Sequence, residues 1–169
     1  YAAFALSGNH TTLNPPSLAP PQITNGTPPM LPTLPAPPQV SLIVDATNPA
    51  YYPSVIQYTM PDNDVAEVDV ATLTVSRYFS RVGTVNFAIA VNPGSGDLFV
   101  ANTEARNLTY FEPALRGFFV TNRIARINVT SASVTNFDLN RNFSPANFTL
   151  LDRTNALAQP TAIAFGPSG

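Results

Sequence analysis

The chain has 169 residues, a net charge of −2 and charged side chains at only 11 % of positions, and its eight basic residues are all arginine, so it offers no basic patch for a phosphate backbone and nucleic acid is not an expected partner. The absence of cysteine removes disulfides, thiolate metal sites and cysteine nucleophiles. No apolar run reaches the ~18–20 residues that cross a bilayer, so no transmembrane segment is expected.

Ten of the eighteen prolines fall in the first forty residues, which leaves ~130 residues to build a core. Residues 1–39 are therefore read as a proline-rich, extended tail. Paired prolines at 15–16, 20–21, 28–29 and 37–38 bias it toward polyproline II segments. Either it is a flexible linker, or its apolar residues Leu13, Leu18, Ile23, Leu31 and Leu34 hold it as a strap against a partner. His10, the sole histidine, has no second histidine or cysteine to form a metal site with, and reads as surface. The first residue is tyrosine, read as a processed or truncated start and consistent with a removed export signal.

Residues 40–169 are read as one β-rich unit. Val40–Val44 and Ser54–Thr59 have strand composition, and Pro61–Asp64 is a turn. Val65–Val75 reads as strand, turn at Ala71 and Thr72, and second strand continuing through Phe79. Gly83–Asn107 reads as a β-hairpin with Pro93 and Gly94 central in a type II turn. Phe87, Ile89, Val91, Leu98 and Val100 are expected to be buried, and apolar residues on both faces place the hairpin between two layers.

Both patterns recur. Ile124–Val134 (IARINVTSASV) answers Val65–Val75 (VAEVDVATLTV), and Ala162–Gly169 (AIAFGPSG) answers Ala88–Gly96 (AIAVNPGSG). The repeats span about 65–104 and 124–169, with insertions at 104–122 and 140–159 rich in Asn, Pro and Arg.

The segment FVAN at Phe99–Asn102, preceded by AIAVNPGSGDL and by VAEVDVATLTV with Val82-Gly83, resembles the Tyr-Val-Thr-Asn signature of YVTN-type β-propeller repeats. Asn102–Ile124 is similar to an insertion of exported bacterial propeller proteins, some of them peroxidase-associated. The resemblance covers about residues 62–169. It implies an all-β fold of antiparallel four-stranded blades, about two of them, and a periplasmic, cell-surface or extracellular location, with no shared catalytic residues. A propeller closes with ~4–8 blades, so the expected partners are other subunits or the remainder of a longer protein.

Candidate sites are few. Asp62, Asp64 and Glu67 form either an Asx turn that opens a strand or a calcium site. Glu104, Arg106, Glu112, Arg116, Arg123 and Arg126 form either mutual ion pairs or an arginine-built anion site, and Arg106, Glu112 and Arg116 are further partner-contact candidates. Sequons at Asn9, Asn25, Asn107, Asn128, Asn142 and Asn147 are candidate N-glycosylation positions. No nucleophile elbow, paired catalytic carboxylates or phosphate loop is present, so no catalytic residue and no cofactor is assigned. The reading is a non-enzymatic binding or structural module. The alternatives are a scaffold section of an exported oxidoreductase or hydrolase whose catalytic part lies elsewhere, and an assembly subunit held by its N-terminal tail.

Overall fold

The computed structural model describes residues 1–6, 11–14, 42–45, 57, 61–105, 120–143 and 149–169. His10, Leu18, Ile23, Leu31, Leu34, Arg106, Glu112, Arg116 and the sequons at Asn9, Asn25, Asn107 and Asn147 lie outside them.

The strands are β1 (Ala2–Ala3), β2 (Thr11–Asn14), β3 (Leu42–Asp45), β4 (Val65–Asp69), β5 (Thr74–Phe79), β6 (Val85–Val91), β7 (Leu98–Ala105), β8 (Val120–Asn128) and β9 (Ser133–Asp138), followed by the helix α1 (Leu150–Asn155). The protein is mostly β. An antiparallel sheet of order β1-β4-β5 and an antiparallel meander of order β6-β7-β8-β9 carry the core, and β2, which holds Leu13, pairs with β3. The strand at the start of the chain departs from the expected polyproline II: Ala2 and Ala3 pair with Ala66 and Val65, and Leu6 bridges to Val85.

The β6–β7 pairing forms as expected, with Ile89 opposite Val100 and Val91 opposite Leu98. Its turn is not type II. Gly96 takes the left-handed backbone at φ 76°, while the Asn92 side chain accepts from the N–H groups of Gly94 and Ser95. Burial also differs from expectation on β6. The register shifts between Asn86 and Ala88, which puts Phe87 in a bulge and leaves it partly exposed, and Val91 lies exposed at the strand end. β7 is buried along most of its length: Leu98 and Val100 enter the core, and Phe99 packs edge-on against Phe165 at a centroid distance of 5.1 Å.

One core joins the two sheets, with Val65, Phe79 and Val82 meeting Leu98, Val100, Ala125 and Ile127. β7 and β8 reach into the expected 104–122 insertion, and α1 lies in the expected 140–159 insertion, capped by Thr149 and Asp152.

The recurrence seen in sequence is also one of geometry, at an offset of 59 residues. Asp69 accepts from the N–H groups of Ala71 and Thr72, and Asn128 accepts from that of Ser131. Thr72 and Thr74 share a 2.8 Å hydroxyl contact, as do Ser131 and Ser133. Leu73 and Ala132 both sit at φ 56°. Ala162–Gly169, which repeats β6 in sequence, forms no strand and ends in a turn closed by Gly169 N–H on the Gly166 carbonyl.

Candidate functional site

The link between the sheets, residues 80–84, is where the charged residues converge. Six backbone groups there are held by side chains. Asp62 and Asp64 come from the segment just before β4. The Asp62 carboxylate accepts from Arg81 N–H at 3.0 Å, and its carbonyl accepts from the Ser80 hydroxyl. Asp64 Oδ2 accepts from Val82 N–H at 2.6 Å and Gly83 N–H at 3.3 Å. From the second sheet, Arg123 on β8 donates to the Val82 carbonyl at 2.8 Å and Asn136 on β9 to the Arg81 carbonyl at 3.1 Å. Asn86 closes the set on the Gly83 carbonyl at 3.2 Å.

Gly83 is required by close approach. A Cβ there would lie 2.5 Å from Asn102 Oδ1, and Asn102 is fully buried, bonded to the Val100 carbonyl and to Arg123. Arg123 also pairs with Glu104 at 2.8 Å, and Glu104 accepts from Thr84. Together Asp62, Asp64, Arg81, Gly83, Glu104, Arg123 and Asn136 line a cleft of about 310 Å³.

Among the described residues Asp64 is the most perturbed titratable group. Burial raises its pKa from the ordinary 3.8 to about 6, the N–H of Val82 opposes the rise, and the neighbouring Asp62 carboxyl adds to it. Asp64 Oδ1 is buried with no hydrogen-bond partner. Asp64 therefore retains its proton into mildly acidic solution, and the same carboxyl holds the Val82 and Gly83 N–H groups of the link.

Glu67 is not part of this cleft. Its carboxylate pairs with Arg77 on β5 at 2.6 Å, and among the described residues no group of three His, Cys, Asp or Glu side chains is arranged to hold a metal ion. Of the arginine cluster read from the sequence, Glu104 and Arg123 come together in the cleft. Arg126 instead bonds the buried Asp97 at the end of the β6–β7 hairpin, through Nε at 2.7 Å. Asn128 joins Asp97 at 3.2 Å and also accepts from Ser131, so this sequon amide is engaged on both sides. Asn142 lies exposed in the turn after β9.

Sequence reasoning missed Asp97, Asn102 and Asn136 as members of these clusters. Their partners lie up to 55 residues away in sequence, as for Asn136 and Arg81, and no local pattern marks such a contact. Comparison with family models, curated proteins and solved structures gives no match.

Proposed function

We propose that this chain is a section of an exported β-propeller of the YVTN kind, with each four-stranded sheet a blade, and that it acts as a non-enzymatic binding or structural scaffold in a larger protein or assembly. The observation that carries the reading is the reuse of one hairpin design at Val65–Phe79 and Ile124–Asp138, down to the Asx turn, the hydroxyl pair and the left-handed residue. Repeats of this type bury their faces only by stacking on a neighbour. The charged cleft fits the same role, because Arg123, Glu104 and both aspartates are engaged in holding the link between repeats.

Turn transplantation tests the repeat. Replacing residues 69–74 (DVATLT) by the sequence of 128–133 (NVTSAS) should change stability by no more than about 1 kcal/mol, because every group the turn needs is supplied in its equivalent place. A loss of several kcal/mol in urea denaturation would refute the equivalence and the scaffold reading with it.

A further inference from the structure

The 59-residue equivalence assigns each sheet face a counterpart on the other sheet, and two of those counterparts are left unmatched. On the first sheet, paired Val65 and Phe79 are buried against the second sheet. Their equivalents by strand pairing on the second sheet are Ile124 and Phe137, because the register shift between Glu67 and Val68 reduces the offset to 58 residues at this end of β5. These lie on the face opposite the core, and Phe137 is 46 % exposed where Phe79 is 2 % exposed. On the second sheet, Ala125 and Ile127 are buried against the first. The equivalent of Ala125 is Ala66, itself 2 % exposed; the unmatched part of its face is Tyr78, opposite it, and Phe4, in ring contact with Tyr78 at 6.2 Å, both exposed by more than 40 %. The molecule therefore presents one face of the interlayer contact on its second sheet and the complementary face on its first.

The strands show the same gap. Ala2 and Ala3 pair with β4 in the register that Val100 and Ala101 hold on β8, so β1 occupies the place of β7 and Tyr1 that of Phe99. In the second sheet β7 is flanked by β6. In the first, β1 is the edge strand among the described residues, and the segment that repeats β6, Ala162–Phe165, is in no strand. Pro160, with no N–H to donate, falls where Asn86 stands in β6, so pairing of this segment would start after it and leave Phe4–Leu6 to their own contacts with Val85 and Asn86.

We infer that copies of this chain associate head to tail, the Ile124–Phe137 face of one copy packing on the Tyr78–Phe4 face of the next, and Ala162–Phe165 of the first pairing beside Tyr1–Ala3 of the second as a fourth strand. The inference rests on the repeat reading above. Among the described residues, the three strands of the first core sheet, the four of the second and one contributed strand make two four-stranded sheets per copy. The contact is heterologous, so it closes into a ring when the rotation allows. At ~4–8 blades a ring takes roughly two to four copies.

Light scattering on the full chain should give a mass two to four times 18.0 kDa, the range that ~4–8 blades require. Phe137→Arg and Ile163→Pro should each reduce it to one copy with an unchanged far-ultraviolet spectrum, since Phe137 is exposed and residue 163 lies in no strand. The register places Ile163 opposite Ala2 of the next copy, and directly opposed residues lie ~4.5–5.5 Å apart at Cα, within disulfide reach. In this cysteine-free chain, Ala2→Cys with Ile163→Cys should therefore give a non-reducing ladder of linked copies, and Ala2→Cys with Leu157→Cys should not. A single-copy mass with no ladder overturns the inference, and so does a multimer that neither substitution dissolves. Neither outcome touches the turn transplantation, whose failure alone marks failure of the repeat reading.

Discussion

Asp64→Asn separates the charge at the link from its hydrogen bonds. The folded protein raises the Asp64 pKa from 3.8 to about 6, so the folded state binds the proton more tightly than the unfolded chain does. The sign follows: the contribution is fully present below pH 3.8 and is lost as pH rises through about 6. At ~1.4 kcal/mol per pH unit it amounts to on the order of 3 kcal/mol. Asp69 and Asp152 act in the opposite sense. Their pKa values are lowered chiefly by the backbone N–H groups of Thr72 and Thr149, so their contributions are lost as pH falls through the acidic end of the carboxylate range. Wild-type stability should therefore decline between about pH 4 and pH 6.5. An asparagine at 64 keeps an oxygen for Val82 and Gly83 N–H, offers an amide to the Asp62 carboxylate, and does not ionise. Urea denaturation followed by far-ultraviolet circular dichroism, repeated across that range, should show the wild-type decline and a nearly flat Asp64→Asn profile. Parallel pH profiles for the two proteins would refute the placement of the titration at Asp64.

Two further substitutions probe packing. Gly83→Ala forces a Cβ to within 2.5 Å of the buried Asn102 side chain and should cost ~1–3 kcal/mol in the same assay, with little change in the spectrum of the folded state. Ile127→Ala, at a fully buried site between the sheets, should cost ~2–5 kcal/mol, while Ile89→Ala, only half-buried on β6, should cost less than half of that.

Much of the β architecture is legible in the residues because it rests on local chemistry. Alternation and an Asx residue before a short turn locate the β4–β5, β6–β7 and β8–β9 hairpins, and one copy of the pattern identifies the other. The Phe87 bulge is not legible, because alternation continues through it in sequence while the register shifts in the sheet. The α1 helix carries a visible signal, Thr149 followed by Asp152, but it is two turns long and its apolar residues Leu150 and Leu151 are exposed, so no amphipathic period supports it. The place of Tyr1–Ala3 as a strand is hidden by distance: its partner β4 lies more than sixty residues on. Of the cleft, the residue types were visible but not their meeting, since each half comes from a different repeat.

Asp64 and Arg123 stand 59 residues apart and so occupy equivalent positions in the two repeats, each next to the first aliphatic residue of its hairpin, Val65 or Ile124. In the folded chain both act on the same peptide segment: the aspartate accepts the N–H groups of Val82 and Gly83, and the arginine donates to the Val82 carbonyl. One residue position, filled with opposite chemistry in successive repeats, thus satisfies both polarities of a buried backbone segment that belongs to neither sheet's hydrogen-bond ladder. Two aspartates there would leave the Val82 carbonyl without its guanidinium, and two arginines would leave two buried N–H groups without an acceptor, each at ~1–3 kcal/mol. The acid must come from the repeat before the link and the base from the repeat after it, because Glu104, which balances Arg123, is carried by β7 of the second sheet. The alternation therefore fixes the order of the two repeats as well as their contact, which a pair of identical repeats would leave undetermined.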